Sequence, residues 1–479
     1  MKNIKKTSCA LFTAIFVLCM SSISWCNGQE TETEGGPMVK REKEALYYVI
    51  QGFVGKEWNG SDLYHDPCGW TPIQSVACDI YDGYWYVTTL NIGLIHDNSL
   101  SCSPNVQFSP QLFQLRHLKS LSFFNCMSHR GHPVTIATQN WSALSGTLES
   151  LEFRSNPGLN GQIPATFGDL MKLQSLVLLE NGFSGNVPTN LGNLPNLKRL
   201  VLSGNRFTGQ VPVNFGALSV LLILDLSRNS LSGTLPFTLG GLKSLLKLDL
   251  SHNQFVENIP NQIGNLKNLT LLDLRNNNFS GGLPQPIQEL GSLQELVLSR
   301  NLIGGDIMRL SWPNLQSLII LDLSNTGLTG EVPESISELK NLRFLGLNDN
   351  NLTGELPSKL ATLSNISAIY IHGNNLTGEL KFSETFYGTM GRLFGAWDNP
   401  NLCYQTGVLS TSKVPYGVKA CQQEVNLYGK NVDTDSKLGS NQDSQMVASL
   451  GNSRNGMNEF WCVYLVKIVM TVVFFNIAM

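Results

Sequence analysis

Charge is scarce in this sequence. Only 14% of its 479 residues are Asp, Glu, Lys or Arg, and 33 cations against 36 anions leave a formal net charge of -3. That balance provides no basic stripe for a nucleic acid backbone and no polybasic patch for an anionic membrane surface, so no nucleic acid partner is expected. CxxC spacing is missing. So are a phosphate-cradling glycine loop, a metal-ligand cluster, and a nucleophile set beside a base. No catalytic residue, metal site or cofactor is assigned, and the chain reads as a non-enzyme.

Long apolar runs occur only near the two ends. Residues 1–28 read as a secretory signal peptide: Lys2, Lys5 and Lys6 precede an apolar run, Ala10 to Met20, too short to span a bilayer, and cleavage is expected between Ser24 and Gly28. Export changes the meaning of the ten cysteines. Cys9, Cys19 and Cys26 leave with the signal and Cys462 lies in an apolar tail, so six remain: Cys68, Cys78, Cys102, Cys126, Cys403 and Cys421. An even count in an oxidising compartment favours disulfides. Sequence leaves the connectivity open. Pairing of near neighbours, which staples each end of the chain locally, is the expectation, ahead of a zinc site.

What the chain has in abundance is a repeat. Leu200-Val-Leu202-Ser-Gly-Asn205, Leu224-Asp-Leu226-Ser-Arg-Asn229, Leu248-Asp-Leu250-Ser-His-Asn253 and Leu272-Asp-Leu274-Arg-Asn-Asn277 recur every 24 residues. The asparagine continues at Asn156, Asn181, Asn301, Asn350, Asn374 and Asn399, with Cys126 and Thr326 in its place in two units. In each unit alternate leucines point inward from a short strand, while residues such as Asp225 and Ser227 point out. One strand cannot bury its own face, so the units must stack into a parallel sheet over a continuous leucine core. The asparagine amide is read as structural, bonding backbone groups where the chain leaves the strand. Behind it, segments such as Leu231-Ser-Gly233-Thr-Leu235-Pro236 turn the chain. The connecting L-x-x-L pieces are too short for full α-helices and predict 3₁₀ turns. This L-x-G-x-(I/V/L)-P form resembles the plant-specific class of leucine-rich repeats. The implied fold is an α/β-type leucine-rich-repeat solenoid, a curved right-handed coil with a parallel concave sheet, short 3₁₀ and loop segments on the convex side, and disulfide-stapled caps.

The expected organisation is a signal peptide (1–28), an N-terminal cap (29–86), leucine-rich repeats (87–393), a C-terminal repeat and cap (394–421), a flexible polar stalk (422–459) and a hydrophobic tail (460–479). Helical spacing from Glu44 to Phe53, with Asp66-Pro67-Cys68-Gly69-Trp70, is similar to the N-terminal cap of plant leucine-rich-repeat receptors. Asn399-Pro-Asn-Leu402-Cys403 with Cys421 resembles their C-terminal cap. The stretch from Met127 to Ser150, between one turn and the next strand, is longer than a normal unit allows there, and a loop is expected. For the tail, a glycolipid (GPI) anchor signal after the small residues Gly451-Asn452-Ser453 is favoured over a retained span. Either places the solenoid on the outer face of the plasma membrane.

Seven N-x-[S/T] sequons, at Asn59, Asn140, Asn268, Asn278, Asn351, Asn365 and Asn375, are candidate glycosylation sites, with crowding expected near Asn278, Asn351 and Asn375. Asp225, Asp249, Asp273 and Asp322 form a column, read as a solvated ladder of the repeat consensus rather than paired catalytic carboxylates. The outward positions that vary are the candidate ligand-binding residues: Arg228, His252, Arg300 and Asp349 in one column, and Arg275, Asn348, His372 and Trp397 beside it. Both histidines are expected to stand exposed without a matched partner.

Strings outside the repeat consensus extend the resemblance. Trp58-Asn-Gly-Ser-Asp62, Asp66-Pro-Cys-Gly-Trp-Thr-Pro-Ile73 and Leu151-Glu-Phe-Arg-Ser-Asn-Pro-Gly-Leu159 are similar to a family of plant leucine-rich-repeat proteins. That family is associated with the plasma membrane and with the growth response to a beneficial root-colonising fungal endophyte. The resemblance implies a receptor-like recognition protein with no kinase. Its partners would be an extracellular peptide, protein or glycan ligand, a membrane co-receptor kinase and, through the C-terminal tail, the plasma membrane. The alternative is a secreted, wall-associated inhibitor similar to polygalacturonase-inhibiting proteins, which share this repeat but act as soluble binders.

Overall fold

The computed structural model describes residues 37–93, 100–128, 133–136, 138, 140–405 and 414–421. The leader, the stalk and the hydrophobic tail lie outside these residues, and among the described ones no helix is long and apolar enough to cross a membrane.

Alternation of apolar and polar residues builds one long sheet. Among the described residues it has fourteen strands; the first two form an antiparallel hairpin, Val76–Tyr81 with Tyr84–Gly93, and every later pair is parallel and follows chain order. Register carries the repeat from unit to unit. Leu200, Leu224, Leu248, Leu272, Leu296, Leu321, Leu345 and Ile369 stand opposite one another on consecutive strands, all fully buried. Each unit thus closes on its neighbours' leucines, and one apolar core runs the length of the sheet.

The asparagines hold the turn out of each strand. Asn301 donates from Nδ2 to the carbonyls of Leu274, Leu298 and Ser299 at 3.0, 2.8 and 3.4 Å and accepts from the backbone N–H of Phe279 at 3.1 Å. One side chain therefore satisfies buried backbone groups in its own unit and the preceding one. Thr326 supplies part of this, its hydroxyl donating to the Leu323 carbonyl at 2.7 Å and its backbone N–H to Asn350 Oδ1 at 3.0 Å. At Cys126 the backbone N–H donates to Asn156 Oδ1 at 2.7 Å.

The residue just before the ladder asparagine has a left-handed backbone in unit after unit: Asn125, Ser155, Glu180, Gly204, Arg228, His252, Asn276, Arg300, Asn325, Asp349, Gly373 and Asp398 all have φ between 47° and 70°. Beyond the asparagine, short strands form a second, flanking sheet from Val134–Thr135 to Asn278–Ser280. Prolines such as Pro212, Pro236 and Pro260 then cap five-residue 3₁₀ turns. One unit departs from the expected 3₁₀ segment. Glu384–Met390 is α-helical, started by Ser383, whose hydroxyl accepts from Phe386 N–H at 3.2 Å, and held by Phe382, Phe386, Tyr387 and Phe394 packed ring against ring.

The expected loop between Met127 and Ser150 is largely built into the fold. Val134–Thr135 joins the flanking sheet beside Leu159–Gly161, and Trp141–Leu144 is a 3₁₀ turn whose Trp141 is fully buried between Phe113 and Phe167. The large indole anchors what repeat spacing alone assigns to a loop. At the front, the helix Lys40–Val54 lays Ala45, Leu46, Val49, Ile50 and Phe53 over the first strands. The cysteines pair as Cys68–Cys78, Cys102–Cys126 and Cys403–Cys421.

Candidate functional site

The outward positions of the long sheet fall into two groups. The first occupies four consecutive rungs, the strands Ile223–Asp225, Lys247–Asp249, Leu271–Asp273 and Glu295–Val297 with the residues that follow them. Arg228, His252 and Arg300 occupy the left-handed position and are exposed, while Arg275 leans half-buried across the sheet. Burial first, then the charges of Arg275, Arg228 and Arg300, hold the His252 imidazole below its ordinary pKa, and Asp249 opposes them. His252 has a partner, contrary to the sequence expectation: its Nε2 lies 3.3 Å from Nδ2 of Asn276.

Beneath these cations the aspartate column is not the solvated ladder expected. Asp249 and Asp273 are only 8% and 1% exposed, with Lys247 and Arg275 of their own rungs lying against their carboxylates. In three rungs the aspartate Oδ1 accepts from both the N–H and the hydroxyl of the serine two residues on, at 3.1 and 2.7 Å for Asp225, Asp249 and Asp322 alike. In the fourth, Arg275 replaces that serine. Asp273 keeps the N–H bond at 3.1 Å but loses the hydroxyl, and its Oδ2 meets Arg275 Nη2 at 3.1 Å in an ion pair too oblique for a hydrogen bond. Burial, then the charge of Asp249, pushes Asp273 up to about 8, against Arg275 and with a further push from Asp322. Burial and Asp249 also raise Asp225, and burial raises Glu295. Lys247 stands between Asp225 and Asp249, its Nζ 3.8 and 3.7 Å from their carboxylates.

The second group lies nearer the C-terminal cap. Asn348 Nδ2 donates to Asp349 Oδ2 at 2.7 Å, and His372 Nε2 lies 3.9 Å from the same carboxylate. His372 is not the bare exposed residue expected: its ring stacks on Trp397 with centroids 4.1 Å apart, and Tyr370 and Tyr416 close the cluster edge-on. The structure therefore divides the candidate residues between a cationic block and an aromatic, acidic block. Sequence reasoning passes over Lys247, Glu295 and Tyr370, although the period of two already places each on the outward face.

All seven sequon asparagines are exposed. Asn268 and Asn365 each donate Nδ2 to a backbone carbonyl of the preceding unit, Lys243 at 2.9 Å and Lys340 at 2.8 Å. Asn278 and Asn351 open strands of the flanking layer. Among the described residues no group of His, Cys, Asp and Glu is placed to hold a metal ion.

Comparison with known proteins agrees with this architecture. Leucine-rich-repeat family models match residues 195–255 and residues 268–290, 317–339 and 341–363. The chain is 58% identical over 173 residues to Piriformospora indica-insensitive protein 2 of Arabidopsis thaliana, 35% of this chain and 40% of that protein. It is 33% identical over 171 residues to Receptor like protein 29 of the same plant, 35% of each chain. The matched stretches thus span well under half of these relatives. Among solved structures, the plant peptide hormone receptor RGFR1 in complex with RGF2 superposes with a TM-score of 0.54 at 29% identity, covering 62% of this chain and 45% of that one. The chain is a leucine-rich-repeat solenoid resembling plant receptor-like proteins of this kind.

Proposed function

We propose that this solenoid is the recognition part of an extracellular, non-enzymatic receptor-like protein. It binds an extended peptide, protein or glycan on the outward face of the long sheet and signals through a membrane co-receptor kinase. The observation that carries this reading is the contrast along that face: the inward leucines and ladder asparagines repeat from unit to unit, while the position just before the asparagine, Arg228, His252, Asn276, Arg300, Asp349 and Gly373, differs from rung to rung. A surface that is regular where the fold needs it and irregular where solvent meets it suits contacts spread over several units. Arg and Trp among the outward residues suit binding hot spots. A solved relative of similar fold carries a peptide hormone.

In this reading residues 1–28 direct export, residues 460–479 are a signal exchanged for a GPI anchor near Gly451-Asn452-Ser453, that anchor holds the protein at the outer face of the plasma membrane, and the exposed sequons carry glycans. The 58% identity over 173 residues favours a role in the response to a root endophyte of the kind named in that relative. Two measurements test the proposal. Plants lacking this protein should lose the growth response to the fungus, and a normal response would remove the symbiotic role. A phosphatidylinositol-specific phospholipase should release the protein from root membranes. Extraction only by detergent would replace the anchor with a span, and recovery without either treatment would make the chain a soluble wall-associated inhibitor.

A further inference from the structure

We propose that the four rungs ending in Arg228, His252, Asn276 and Arg300 form a proton-coupled seat for an acidic peptide segment, one carrying at least two carboxylate, sulfate or phosphate groups. The proposal rests on the sheet face being the ligand surface and goes further by fixing the chemistry of one stretch of the ligand. Neighbouring strands are about 4.8 Å apart, so four rungs span about 14 Å, the length of roughly four extended residues.

Vertical order of charge is the first argument. The outward residues of the block hold four cations, Arg228, Lys247, Arg275 and Arg300, and four carboxylates, Asp225, Asp249, Asp273 and Glu295. They are not mixed. Arg228 and Arg300 are exposed at the outer edge, whereas Asp249, Asp273 and Glu295 are buried below. An approaching ligand meets guanidinium first, and paired guanidinium and carboxylate geometry makes acidic groups the natural complement.

Backbone conformation is the second. Gly, Asn, Asp and His enter the left-handed region most readily, and long side chains do so at a cost. Seven of the twelve rungs use Gly, Asn or Asp there; Arg228 and Arg300 are long residues held in that conformation on either side of His252. Third, Arg275 breaks the serine pattern of the other aspartate rungs and stands directly over a carboxylate that is 1% exposed.

The coupling to protons follows from what faces each group. Asp273 faces Asp249 on one side, Asp322 on the other and Arg275 above; Glu295 faces Lys247 and Arg275; Asp225 faces Asp249 and Lys247; and His252 faces Arg228, Arg275, Arg300 and Asp249. Burial favours the neutral form of the three carboxylates. As pH falls, the block loses negative charge below while keeping its guanidinium charge above. A bound acidic segment favours the same protonations, so binding takes up protons and tightens toward acidic pH.

Selection of random decapeptides on the immobilised full chain, at pH 5.5 and pH 8, tests this. The expected peptides are enriched in acidic residues and bind more tightly at pH 5.5. They weaken about tenfold with each of Arg228→Gln and Arg300→Gln but not with Arg154→Gln, which removes another arginine of the same face. Asp273→Asn should bring the pH 8 affinity close to that at pH 5.5. Peptides without acidic enrichment, unaffected by either arginine substitution yet lost on Trp397→Ala, would overturn the seat while leaving the sheet face as the ligand surface. Failure to select any peptide would overturn both.

Discussion

The ladder asparagine works because an amide both donates and accepts. Asn301 uses Nδ2 toward three carbonyls and Oδ1 toward Phe279 N–H, all in the core. Asn301→Ala strands those groups and should cost about 3 kcal/mol, each buried unpaired group being worth about 1–3 kcal/mol. Asn301→Asp, nearly the same shape, should also destabilise, since a carboxylate cannot donate; urea denaturation followed by circular dichroism checks both. A second residue-scale prediction concerns protons. Glu42, on the buried face of the first helix and accepting from Val87 N–H at 3.3 Å, is pushed by burial up to about 7, and Asp273 to about 8. Both folded values exceed those of an unfolded chain, near 4. The folded state therefore holds more protons between about pH 4 and 8, and the stability these groups contribute is full at the acidic end and lost as pH rises. Thermal midpoints should fall between pH 5 and pH 8, and less steeply in Asp273→Asn and Glu42→Gln. An unchanged slope in both variants would contradict this assignment.

At the scale of one repeat, the sequence was legible wherever a rule has a period. Leucines two apart gave the strand, the asparagine gave the exit turn, and the short L-x-x-L pieces gave the 3₁₀ turns that the structure starts after Pro212, Pro236 and Pro260. What escaped depends on neighbours across the stack. Asp273 counts as outward by periodicity, yet Arg275 and the flanking rungs cover it. His372 meets Tyr370 edge-on in its own unit and finds its stacking partner, Trp397, only in the next. Trp141 could not be placed until Phe113 and Phe167 closed on it from adjacent units. The same dependence sets the behaviour of the ends. The last strands, Thr377–Glu379, Asn401–Tyr404 and Lys419–Ala420, have the Cys403–Cys421 disulfide as their covalent tie. Replacing both cysteines with serine releases a loop worth about 3 kcal/mol. Hydrogen exchange should then accelerate from Leu376 onward while Leu224 to Leu274 stay protected. Uniform acceleration along the chain would mean that the tie acts globally.

For the solenoid as a whole, stability is shared between nearest neighbours, so position along the stack matters as much as chemistry. Leu248→Ala in the middle should cost about 2–5 kcal/mol and lower protection in the units on both sides. Leu402→Ala, close to the end, should affect mainly the cap. Equal reach of the two substitutions, measured by hydrogen exchange, would argue against neighbour coupling. The recurring left-handed residue has one more consequence. Its conformation is set by the asparagine and the paired backbone around it, and it is nearly the same for Gly204, Arg228, Asn325 and Asp398. Each rung therefore launches whatever side chain it carries from a common origin in a common direction. Structure and message are written on separate lines of the same repeat, and new binding specificities can be composed on this face, letter by letter, with the scaffold left as it stands.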